Sequence, residues 1–253
     1  MVNWLEYCNL RPRIAFGNVM SMSSSAPSSL NSRRWALLSG KARLVVVILV
    51  ILHQVGVVGL HLPETRGWFQ PLIPYNLLFS VAVLLLFHRY WTLRFAIFCF
   101  VIFWAGYLVE LLGVSTGVIF GPYHYGGALG IKVGEVPPMI GINWLMLVYT
   151  TGLLARELSG NIWMRATLAA AAMVLLDLVI EPMAIRYDFW TWETDQGQIP
   201  LQNFAAWFGI SWVMSYAFQV QPDRKQNPIA IPLYLIQLFF FLTFWVVDQF
   251  GVS

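Results

Sequence analysis

Three acidic residues, Glu110, Asp177 and Glu181, stand inside apolar stretches of this 253-residue chain. A charged side chain at the centre of a bilayer costs about 2.5–3.5 kcal/mol on insertion scales, so carboxylates in such places are candidates for chemistry. Asp177 and Glu181 are four positions apart in DLVIEP. On a helix that is about one turn, and both side chains leave the same face about 6 Å apart along the axis. Two carboxylates so close in a low dielectric do not both ionise easily. The pair therefore offers a proton donor beside a proton acceptor. The same pair could instead tie helices together, bonded to Tyr and Trp donors or to Arg186. Glu110 lies in WAGYLVELLG, where it could act beside the STG turn that follows or snorkel to the interface.

Two connecting segments flank these carboxylates. The first contains STGVIFGPYHYGGALG, whose glycines permit tight turns and close approach to a ligand. Thr116, Phe120, Tyr123, His124 and Tyr125 are its candidate binding residues. A phosphate cradle is not expected there, because Lys132 is the one cation close by. His124 with three carboxylates falls short of the paired Glu-x-x-His sets of a di-iron bundle, and no metal is expected. The second segment, RYDFWTWETDQGQIPLQNFAAWF, contributes Trp190, Trp192, Asn203 and Trp207. Its indoles could form an interfacial belt or line a greasy pocket whose faces stabilise a cation. Gln202 and Asn203 could orient a water. Asn143 and Trp144 enter the next apolar segment from the same side. His53, His61 and His88 read as packed or interfacial, with no ligand role.

The elements that must position these groups are membrane helices. The chain is 58% hydrophobic and 11% charged, against about 25% charged in soluble domains. Seven apolar segments approach the length of about 20 residues that a spanning helix needs: 44–61, 72–87, 95–113, 136–155, 166–185, 204–218 and 229–250. The second and sixth are short. Pro182 could kink the fifth, which membrane helices tolerate. With the N-terminus in the cytoplasm, the outer segments hold only Arg66, Lys132 and Arg186 of the 15 Lys and Arg residues. Such a bias follows the positive-inside rule. The expected fold is all-α, a polytopic bundle of seven transmembrane helices, N-in and C-out. The connections 114–135 and 186–203 are then both external, and the three carboxylates meet at one mouth. Residues 1–43 read as a Ser-rich, basic, disordered cytoplasmic tail without a cleavable leader. Cys8 and Cys99 are not expected to pair.

Several classes fail on these residues. A retinal Schiff base needs a lysine in a span, and Lys41, Lys132 and Lys225 all lie outside. A UbiA-like prenyltransferase needs two Asp-rich motifs, and one D-x-x-x-E is present. The internal repeats of a transporter are missing.

The order of motifs resembles a known family. Glu110, STG-x-x-FG-x-Y-x-YG-x-x-LG, VPP-x-IG-x-NW, D-x-x-x-EP and W-x-W followed by P-x-x-N-F-x-x-W, over residues 104–207, are similar to the membrane carotenoid hydratases of the CruF type. The resemblance implies water addition across the terminal double bond of an acyclic carotenoid end group, giving a tertiary alcohol. It implies no redox cofactor. The implied partners are an acyclic carotenoid substrate, the lipid bilayer of the cell membrane and a downstream glycosyltransferase, with no nucleic acid. Protonating the alkene needs a dry, neutral acid. Asp177 or Glu181 would be that acid, with Glu110 or the remaining member of the pair polarising water. A carotenoid cyclase using the same acid, a non-catalytic carotenoid- or lipid-binding protein, and a proton-linked transporter are the competing readings.

Overall fold

The computed structural model describes residues 39–249. The expected tail lies outside them, apart from the residues that cap and open the first helix. Ser39 caps α1 (Gly40–His61) by accepting from the Ala42 N–H, so this helix begins before the apolar run itself. Pro63 starts a short α2 (Pro63–Phe69), a 3-10 turn follows, and α3 (Ile73–Leu86) carries Pro74 in its first turn. Proline fits there because the first N–H groups of a helix have no intrahelical partner. The second span, short as an apolar run, is extended by α2 into the composite Pro63–Leu86. Thr92 caps α4 (Leu93–Thr116), and Gly117 ends it in the left-handed conformation, φ 64°. α5 runs from Met139 to Leu158, and α6 from Ile162 to Arg186 with Asn161 as its cap. Pro182 sits within α6 without ending it. α7 (Leu201–Val220) and α8 (Ala230–Gln249) complete the bundle.

Six of these segments are long and apolar enough to cross a membrane. The seventh, α7, has span length but carries Asn203, Ser211, Ser215 and Gln219 on its buried side, which lowers its hydropathy. The molecule is a seven-helix polytopic bundle and a multi-pass membrane protein. Its outer surface is apolar: Leu44, Val47, Ile51 and Val58 on α1 are all exposed, as a surface facing lipid requires. α5 is the central helix, packed against α3, α4, α6, α7 and α8. α6 buries a stripe of Ala166, Ala170, Met173, Asp177, Glu181 and Ala184. Small residues let neighbouring helices approach closely, and the acidic pair continues that same face.

One element departs from the helical expectation. Tyr123–Tyr125 (β1) and Trp190–Trp192 (β2) form a two-stranded antiparallel ribbon, pairing Tyr123 with Trp192, His124 with Thr191 and Tyr125 with Trp190. The ribbon joins the two long connections at the end of the bundle where α4 and α6 finish and α5 and α7 begin.

Candidate functional site

Glu110 lies on the buried stripe of α4, one turn after Gly106. A Cβ at Gly106 would collide with the Trp144 side chain, so glycine makes the notch that lets this indole pack across α4. Trp144 Nε1 then donates to Glu110 Oε1 at 2.9 Å. Tyr123 and Tyr125 donate to Glu110 Oε2 at 2.5 and 2.7 Å. Burial, and then the charge of Glu110, push both phenols well above their ordinary value, so they remain donors. Both oxygens of Glu110 are thus engaged by donors. Glu110 is 3% exposed, which rules out snorkelling to the interface.

The ribbon arranges the second carboxylate in the same way. Side chains alternate along a strand, so Tyr123, Tyr125, Trp190 and Trp192 share the inner face. Trp190 and Trp192 donate to Glu181 Oε2 at 3.1 and 3.0 Å. Asn203, near the start of α7, donates to Asp177 Oδ2 at 2.9 Å and lies 3.4 Å from Glu181 Oε1. Asp177 differs from the other two. Its Oδ1 has no hydrogen-bond donor among the described residues. All three carboxylates line one cavity of about 520 Å³, counting the space open at its mouth, with walls that include Phe120, Asn143, Leu147, Met173 and Trp207. Trp207 stacks on Trp144 with centroids 4.2 Å apart and planes 10° apart.

Nearly all the residues singled out from sequence meet here: Glu110, Asp177, Glu181, Phe120, Tyr123, Tyr125, Asn143, Trp144, Trp190, Trp192, Asn203 and Trp207. Two do not. His124 is the middle residue of β1, so alternation turns it outward, where its Nδ1 sits 2.8 Å from exposed Glu193. Thr116 falls about 240° around α4 from Glu110 at 3.6 residues per turn, and its exposed hydroxyl donates to the Leu112 carbonyl at 2.6 Å. Gln202 is not in the cavity wall either. Its amide donates to the Val118 and Ile119 carbonyls and ties the first connection to α7. Leu147 and Met173 line the cavity, yet they carry no signal in sequence that separates them from other apolar helix residues. No three His, Cys, Asp or Glu side chains among the described residues group as metal ligands.

Comparison with known proteins supplies the family. A protein called bisanhydrobacterioruberin hydratase, from Haloarcula japonica, is 32% identical over 148 residues, 55% of this chain. The match covers 50% of that relative, so the chain spans about half its length. No solved structure matches. The model of the family described as carotenoid biosynthesis protein matches residues 72–252. That stretch contains every carboxylate of the cavity and all but the first helix and the short α2 of the bundle, and the chain belongs to the carotenoid biosynthesis protein family.

Proposed function

We propose that this protein hydrates the terminal double bond of an acyclic carotenoid end group, with Asp177 as the acid. The observation that carries this reading is the unequal bonding of three buried carboxylates around one cavity. Glu110 and Glu181 are occupied by indole, phenol and amide donors, whereas Asp177 keeps one oxygen open to the cavity. A proton on that oxygen can pass to the CH carbon of the terminal alkene. The π bond breaks, a C–H bond forms, and a tertiary carbocation remains. The carboxylates of Glu110 and Glu181 stabilise it electrostatically in a water-poor site. The indole face of Trp207 and the ring of Phe120 add cation–π attraction. Water then bonds to the cation. Its surplus proton returns to Asp177, and the net reaction is alkene plus water giving a tertiary alcohol. Asn203, between Asp177 and Glu181, orients both carboxylates. A hydroxyl made this way is a suitable acceptor for a glycosyltransferase.

The relative named as a hydratase supports the class of reaction, and the family supports a carotenoid as substrate. The distribution of Lys and Arg supports an N-in, C-out orientation in the cell membrane, with the cavity at the outer end. The test is expression in a lycopene-producing bacterium that lacks carotenoid hydratases, with chromatography and mass spectrometry of the pigments. The expected product has gained one water with unchanged chromophore absorption. Asp177→Asn is expected to lower its yield by about 10²–10⁴-fold, the range of general acid catalysis, while the folded protein still accumulates. Full activity in that variant would sink Asp177 as the acid. A ring-closed isomer of unchanged mass would identify a cyclase instead.

A further inference from the structure

The acidic cavity is small and closely lined, whereas a carotenoid is mostly chain. Two further cavities adjoin in sequence, each sharing wall residues with the one before. The first, about 430 Å³, shares Ile140, Asn143, Leu176, Ile180 and Trp190 with the acidic cavity. It also shares Leu77, Phe189, Gln237 and Phe241 with a third and larger cavity between α1, α3 and α8, of about 1060 Å³ counting the space open to the outside. The third cavity runs along α1 from Leu52 to Leu60, about 12 Å of helix axis at 1.5 Å per residue. Its walls include Leu52, Val55 and Leu72, which are 42%, 49% and 52% exposed on the apolar outer surface. It therefore opens sideways toward lipid.

Gln237 adds an independent sign of an occupant. It is 4% exposed and lines both distal cavities, yet its Oε1 has no partner among the described residues. Its Nε2 reaches only the Met146 sulfur, at 3.5 Å. A buried amide oxygen left without a donor loses hydration that nothing in the protein replaces. Such a group is expected where a ligand or its water completes the wall.

We infer that the three cavities are one binding channel for an extended polyisoprenoid chain, which enters from the bilayer between α1 and α3 and presents its end group to Asp177. The identity of the reacting end rests on the hydration reading above; the channel as a binding site does not. Gly56 on α1 lines the large cavity, and a Cβ added there would stand 3.6 Å from the ring edge of Phe240, an ordinary contact. Gly56→Phe therefore fills the channel from a helix position that tolerates a side chain, and Leu77→Phe narrows the junction from α3. Ile51→Phe adds bulk on the lipid-facing side of α1, where Ile51 is 54% exposed.

The test uses full-length protein purified in detergent from lycopene-producing cells. It measures lycopene retained per protein and, separately, hydration of lycopene against geranylgeraniol, a short chain with the same end group. Gly56→Phe and Leu77→Phe are expected to retain about tenfold less lycopene, equivalent to about 1.4 kcal/mol of affinity. They should also lose hydration of lycopene more than of geranylgeraniol, while Ile51→Phe matches wild type. Equal retention in both channel variants overturns the channel, and so does a wild-type protein that carries neither lycopene nor its hydrated product. Wild type that holds lycopene without adding water refutes hydration, while the retention ratio still tests the channel.

Discussion

Buried polar clusters occupy both ends of this bundle, and they are built differently. At the end away from the ribbon, His88 Nδ1 meets the Tyr149 hydroxyl at 2.6 Å, and His88 Nε2 meets the Tyr90 carbonyl at 3.2 Å. Asn227 donates to the same hydroxyl and to the Leu84 carbonyl, and its own oxygen accepts from the Ile229 N–H. The His88 ring stacks on Phe95 at 4.0 Å. Every polar group in that trio is answered, and the trio opens on none of the three cavities described above. At the ribbon end, Asp177 is left with a free oxygen in a cavity. Burial of polar groups alone therefore does not separate the two ends; an open carboxylate oxygen beside a cavity does.

The sharpest way to break this contrast is Glu110→Gln. An amide of the same shape cannot accept from all three donors, so a buried hydroxyl or indole loses its partner, costing about 1–3 kcal/mol of stability. If the ribbon end is catalytic, product formation should fall about 10²-fold or more as electrostatic stabilisation is lost. Loss of melting temperature with normal activity would make this end as structural as the other. Tyr149→Phe is the matching probe of the opposite end. It leaves the Asn227 and His88 bonds unanswered and should cost about 1–3 kcal/mol in a detergent melt, with product per folded protein within about twofold of wild type.

The smallest expected effect concerns Lys225, beside the His88 trio. Burial, and then the nearby Arg156 charge, lower its value from 10.5 to about 8. Between those values the folded state has shed the proton and the unfolded state keeps it, so stability rises with pH across that window. Wild type should melt higher at about pH 9.5 than at about pH 7.5, and Lys225→Gln should show less of this rise. An identical pH response in the variant would assign it to other groups.

Much of the site was legible in the sequence because helical spacing transmits directly into space. Asp177 and Glu181 share a face since four residues make a turn, and the indoles of WTW and phenols of YHY converge through the period of a strand. The ribbon itself is not legible, and with it the outward turn of His124. YHY and WTW are too short for their alternation to stand out, and their pairing depends on two segments separated by all of α5 and α6. Reading STG as a polar triplet hides the helical phase that turns Thr116 away. Gly106 looks like any glycine in an apolar helix, because the notch for Trp144 exists only once α4 and α5 pack. Gln237 stands alone among leucines and phenylalanines, a polar mark that packing alone explains poorly.

The donors that satisfy Asp177 and Glu181 all follow them in the chain: Trp190, Trp192 and Asn203. During synthesis α6 must therefore emerge carrying two acidic side chains before anything is available to solvate them. At about 2.5–3.5 kcal/mol for an aspartate at mid-bilayer, that order disfavours α6 partitioning into lipid by itself. α6 and α7 are consequently a unit of biogenesis, a hairpin whose second limb shelters the first. The indole and amide donors around the acidic pair are in place only when that hairpin closes, so a nascent or truncated chain carries the pair without its hydrogen-bond partners.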